Sequence, residues 1–255
     1  MTRRAYTFFN EFNHKDWHSK FRILALEVAE FGRMAGVKVT PFQEDSLPHF
    51  SKLSSEQQLS AIHYLEKYHN ICSAMLDRNE DLKSSYRIVW QALKEYELRP
   101  PSNLFDDLKN DYVIEIYDIA SNTQLFRNFK FFTFCSYSLE DLACRPWPEL
   151  FERDMNSFAE MMVPVQGTFS GKIWKDFRRP IKNYMKEIDS IFHYEMNYAL
   201  LAAYPLRALN GAVEAFLVVE DAELLNPPTP REEEALFFKH NPPTQAAALT
   251  LLERP

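Results

Sequence analysis

The feature that most constrains this chain is a change of hydrophobic period across Arg99-Pro100-Pro101-Ser102-Asn103. Before it, apolar residues recur every three or four positions, the spacing that lines one face of a helix. After it, β-branched and aromatic residues alternate or run together, as strands require. Two consecutive prolines supply no backbone N–H and suit neither a helix interior nor a central strand. The reading is therefore a helical module over 1–103, a sheet-bearing domain over 104–222 and a tail over 223–255.

In the first part, Trp17, Phe21, Leu24, Val28, Phe31 and Ala35 form one stripe, and Gly36 ends it. Ser54-Ser55-Glu56-Gln57 has the form of a capping box, with Ser54 as the cap and Gln57 reaching back. The stripe of Leu59, Ile62, Leu65, Tyr68, Cys72, Met75 and Leu76 then runs to about Asp77. A third helix is expected over 81–97, with Leu82, Tyr86, Val89, Trp90 and Leu93 inward.

In the second part, 111–117 and 123–129 read as strands around a Ser121-Asn122 turn, and 131–142 as helical with Ser138 capping through Asp141. Pro146 and Pro148 bracket Trp147 and hold the backbone while the ring closes part of the core. Two helices are expected over 154–187, broken near Val163-Pro164 and Gly167. Strands follow at 190–196, 198–207 and 212–220, the last two joined by Asn210-Gly211, a dipeptide suited to a tight hairpin. In the tail a short acidic helix is expected at 231–239.

Composition narrows the function. A formal charge of −7 argues against whole-chain attraction to nucleic acid, and 5 glycines leave little for phosphate-cradling loops. Three cysteines, Cys72, Cys135 and Cys144, lie in apolar or helical contexts, which suits reduced thiols and a cytoplasmic location. The N-terminus lacks the apolar core of a secretory signal, and no run of about 18 apolar residues suggests a membrane span.

The order of strand, strand, several helices and three antiparallel strands resembles a PAS-type sensory domain. FCSYSLEDLACRPWPELFERD is similar to that family's helical connector, and YPLRALNGAVEAFLVVEDA to its last two strands and their turn. The likeness covers roughly 107–222. The long 154–187 segment resembles the PAS-like ligand-binding half of some MmyB-like transcription regulators. The resemblance implies an α+β fold: a helical module followed by a five-stranded antiparallel sheet with helices on one face. It implies an intracellular signal-sensing or regulatory role, but no flavin-linking or haem-ligating motif is matched, so the cofactor is unknown.

Catalytic and metal motifs are weak. His14 and His18 are four apart and Glu66-x-x-His69 shares a helix face, yet a two-metal helical centre needs a second such motif. Acidic neighbours Glu140 and Asp141 disfavour a thiolate at Cys135 or Cys144. His193, in IFHYEMN, is read as a surface-strand residue. No catalytic or metal residues are assigned. A basic helix carrying Lys172, Lys175, Arg178, Arg179 and Lys182 is the candidate contact for an acidic partner, with nucleic acid the weaker alternative. TPREEEALFF is similar to the opening helix of a LuxR-type DNA-binding module, but no recognition helix follows.

The leading expectation is a sensor whose apolar or aromatic ligand sits among Phe126, Phe129, Phe132, Trp147, Phe151, Phe158, Met162, Tyr198, Leu200 and Phe216. The helical module would relay the change to a protein partner or a second copy. The alternatives are a scaffold with a filled core and a metal-binding helical protein.

Overall fold

The computed structural model describes residues 16–121 and 123–229. The helix expected at 231–239, the LuxR-like stretch beyond Thr229, and His14 lie outside the described residues.

Three helices form the first part. Helix α1 (Trp17–Met34) starts at Asp16, whose carboxylate accepts from Ser19 N, and it buries Phe21, Leu24, Ala25 and Val28. Helix α2 (Ser55–Leu76) begins in the expected capping box: Gln57 N donates to Ser54 Oγ at 3.3 Å, and Ser54 N to Gln57 Oε1 at 3.0 Å. Helix α3 (Ser85–Glu95) turns Ile88, Val89, Ala92 and Leu93 inward. Tyr86 and Trp90, expected inward, fall off that stripe and are exposed, with their rings packed on Phe105 at 4.7 and 5.6 Å.

The rest is a seven-stranded antiparallel sheet rather than the expected five. Its strands are β1 (Val113–Asp118), β2 (Gln124–Arg127), β3 (Phe151–Arg153), β4 (Trp174–Lys175), β5 (Ile181–Glu187), β6 (Glu195–Arg207) and β7 (Val213–Leu224). They run in the order β2-β1-β7-β6-β5-β3, with β4 also on β6. Strand β6 is long enough to serve two neighbours on one side, β5 along its first half and β4 at Ala202 and Ala203. The β6–β7 register shifts between Leu200 and Ala202, so the strand changes facing there.

Because side chains alternate along a strand, the sheet has two distinct faces. Ala215, Leu217 and Val219 of β7 join the same core as the buried residues of α1, α2 and α3. Phe216 and Val218 point the other way, into a core with Met161 and Val165 of α6 (Met155–Phe169). Helices therefore cover both faces, where one was expected. The short helices α4 (Leu139–Cys144) and α5 (Trp147–Leu150) precede α6 and close the end of the sheet near β3.

Four local expectations are overturned. The stretch 131–142 is not one helix: a 3-10 turn over Phe129–Thr133 gives way to extended backbone before α4, which starts at the expected Ser138–Asp141 capping box. Pro164 and Gly167 do not divide α6, since Pro164 forfeits only a bond to the exposed Glu160 turn. The basic helix is absent. Gly171, at φ +82°, ends α6, and β5 follows with Asn183, Met185 and Glu187 buried while Lys182 points outward. Dense charge had masked a period of two. The strand expected at 190–196 is correspondingly a turn leading into β6. Among the described residues, no helix is long and apolar enough to cross a membrane.

Candidate functional site

The face under α6 is unusually polar for a protein interior. Glu115 lies opposite Val218, and Glu220 is two residues further along β7, so the two carboxyls are diagonal neighbours on one face. Arg127 lies opposite Glu115 on β2, Tyr198 opposite Asn183 across β6 and β5, and Arg153 on β3 pairs with Met185. Glu115, Arg127, Asn183, Tyr198 and Glu220 are all buried.

Some of these groups satisfy one another. Glu115 accepts from Tyr117 Oη at 2.9 Å and from Gln124 Nε2, and Gln124 also reaches Tyr117 Oη at 3.1 Å. Ser157 on α6 donates to Asn183 Oδ1 at 3.4 Å. Burial, and then the neighbouring Glu115 carboxylate, hold the Glu220 carboxyl well above the ordinary glutamate range, while Arg153 pulls it the other way. Burial draws the Arg153 guanidinium below its usual value.

Others lack partners. Tyr64 Oη, Gln124 Oε1, Arg127 Nε and Nη1, Arg153 Nε, Asn183 Nδ2 and Tyr198 Oη are buried with no hydrogen bond. Native interiors pair nearly all such groups, and apart from Tyr64, which α2 contributes, these atoms belong to strands β2, β3, β5 and β6 of the one sheet.

A cleft of about 680 Å³ reaches this region at the β2 edge. Its walls are Ala61, Tyr64 and Lys67 of α2, Gln124, Leu125 and Arg127 of β2, and the run from Leu142 to Pro148. Arg127 is 2% exposed, and its guanidinium stacks on two rings, 4.3 Å from the Phe131 centroid and 5.6 Å from that of Trp147. Arg153 lies 5.1 Å from the same Trp147 ring, so one indole holds two cations.

The cleft wall is tied to the helical part through α4. Glu140 Oε1 accepts from His49 N at 2.8 Å and Phe50 N at 3.1 Å, and Leu139 N donates to Thr40 O at 2.8 Å. Behind α4, the Glu187 carboxylate accepts from Ser136 N and Oγ, Ser190 Oγ and Tyr194 N. Ser136 thus serves Glu187, and Tyr137 Oη donates to Leu150 O and Ile188 O.

The ten residues expected around an apolar pocket are dispersed. Phe158, Met162, Leu200 and Phe216 meet in the core under α6. Trp147 and Phe151 pack at 4.5 Å, with Trp147 in the cleft wall, and Tyr198 belongs to the polar face. Phe126 points to the opposite face and stacks on Tyr68 at 5.5 Å, with Phe129 and Phe132 packed beside it. The polar residues escaped the sequence reading, although Glu115 between Ile114 and Ile116, and Glu220 after Val218-Val219, stood out as charges inside apolar strands.

The basic residues Lys172, Lys175, Arg178, Arg179 and Lys182 are exposed, but around β4, a loop and β5 rather than along a helix, and Lys175 pairs with Asp107 at 3.0 Å. His193 lies in a turn at φ 50°, exposed, with its N–H donating to Ser190 Oγ. His18 bonds Ser51, Glu66 pairs with Lys20 and His63, and His69 with Glu27. No group of three or more His, Cys, Asp or Glu side chains among the described residues has metal-binding geometry. All three cysteines are free thiols. No protein-family model and no curated protein matches the chain.

Proposed function

We propose that this chain is a regulatory protein of the PAS-like sensory type, acting in the cytoplasm, that binds a small molecule in the cleft between α2, β2 and residues 142–148, at the edge of the polar sheet face. The observation that carries this reading is the group of buried, partnerless polar atoms gathered there beside a cleft. A filled scaffold core would be apolar or internally paired, because each buried unpaired group costs roughly 1–3 kcal/mol. The ligand expected is polar, in place of the apolar one anticipated from the aromatic content.

The relay follows from the same contacts. A ligand touching Leu142 to Pro148 bears on α4, and α4 grips the 40–50 segment through Glu140 and Leu139. Differential ligand contact in two α4 positions would bias the helical part, which is then the surface offered to a partner or a second copy.

Native mass spectrometry of the purified chain, followed by a thermal-shift screen of polar metabolites, tests the reading. The expected result is a retained or added small molecule that raises Tm, with slower amide exchange over 40–50. Sensing is excluded if no compound in such a screen shifts Tm and no small molecule co-purifies.

A further inference from the structure

Three cations line the cleft at the β2 edge, Lys67, Arg127 and Arg145, and no Asp or Glu among the described residues does. This is a notable imbalance in a chain with 36 acidic and 29 basic residues. Two of the three are already engaged. Lys67 Nζ donates to Glu95 O at 3.2 Å and lies over the Tyr96 ring, and Arg145 meets Asp141 at 3.4 Å and Glu149 O at 3.0 Å.

Arg127 is different. Its direct cross-strand neighbour is Glu115, yet the hydrogen bonds of that carboxylate go to Tyr117 and Gln124, and Arg127 Nε and Nη1 make no hydrogen bond of ordinary geometry, with the Tyr64 hydroxyl close by. The rings of Phe131 and Trp147 steady the guanidinium but accept no conventional hydrogen bond. Tyr64 Oη, in the same wall, is another donor without an acceptor. Beyond them the cleft turns apolar, with Leu53, Leu125, Leu142 and Trp147.

We infer that this cleft binds a small organic carboxylate, its anionic end on Arg127 and the Tyr64 hydroxyl and its apolar body along Leu125, Leu142 and Trp147. This rests on the ligand-binding reading above and adds the chemical class. A carboxylate suits a guanidinium through charge-assisted hydrogen bonds, and about 680 Å³ is the size of an ordinary small-molecule site.

Calorimetry on the full chain with 3-phenylpropionate, its neutral amide 3-phenylpropionamide and inorganic phosphate tests it. The acid should bind about tenfold to a hundredfold more tightly than the amide, and phosphate weakly. Arg127→Met should bring acid and amide to the same affinity, with circular dichroism showing that the variant is folded. Arg127→Gln repeats the comparison with a polar side chain, and the wild-type acid-to-amide ratio needs no variant at all. Equal binding of acid and amide by the wild type overturns the carboxylate assignment yet leaves a ligand-binding cleft standing. Tight phosphate binding without acid binding, a preserved acid preference in both Arg127 variants, or no binding by any probe overturns it as well.

Discussion

Replacing Glu220 by Gln should make the protein more stable at neutral pH, by a margin that widens as the pH rises. Glu220 sits in β7 between β1 and β6, is 5% exposed, and faces Glu115, Tyr117, Tyr198 and Arg153. Burial and the Glu115 carboxylate hold its pKa well above the ordinary value, so the folded protein keeps a proton that the unfolded chain releases above about pH 4.3. The stability this proton confers is therefore complete below the unfolded pKa and is lost as pH climbs towards the folded one. Within that window the folding equilibrium of the wild type weakens about tenfold per pH unit relative to a non-titrating side chain. Glutamine keeps the shape, donates as the protonated acid does, and does not titrate. Glu140 and Glu187 are also raised by burial and tilt the wild-type curve in the same direction, but they are common to both proteins and cancel in the difference. Urea denaturation from about pH 5 to about pH 8, followed by tryptophan fluorescence, gives that difference directly. A gap that stays constant across this range, or a Gln variant less stable at neutral pH, would refute a proton held at Glu220.

Glu140→Ala should cost about 2–4 kcal/mol, since the backbone N–H groups of His49 and Phe50 both lose their acceptor, and chemical denaturation reads the loss. Gly32→Ala should lower Tm, because a Cβ there would lie 2.4 Å from Val39 Cγ2 and force α1 away from the chain that follows it; a neutral result would show that the 37–39 segment yields freely. Ser138→Ala removes the cap of α4 and should cost about 1 kcal/mol, together with faster amide exchange over 139–144. A thiol reagent at neutral pH should label the native protein slowly and all three cysteines quickly in denaturant, since burial pushes Cys72, Cys135 and Cys144 up and away from the thiolate.

The elements read most directly from the sequence are those whose signals are local. Ser54 with Gln57 and Ser138 with Asp141 cap their helices as their spacing indicates, and Asn210-Gly211 joins β6 to β7. Strands β1 and β2 stand where β-branched and aromatic residues cluster. The failures are equally specific. Lysines on the outer face of β5 imitated a basic helix because a strand with one polar face need not display its period when buried positions include Asn183 and Glu187. Pro164 looked like a break, but a proline is tolerated where the carbonyl it abandons is open to water.

Sequence alone therefore determined the helical first part, the change to antiparallel strands past Pro101, and the turns and caps between them, since each depends on neighbours within a few residues. Only the tertiary structure decided that helices cover both faces of the sheet, that β6 shares its length between β5 and β4, and that Phe126 points away from Phe216. It also decided that Glu115, Arg127, Arg153, Tyr198 and Glu220, drawn from five strands, share one interior. The reason is geometric: facing and register are set between strands far apart in the chain, and a one-residue change in either moves a side chain to the opposite face.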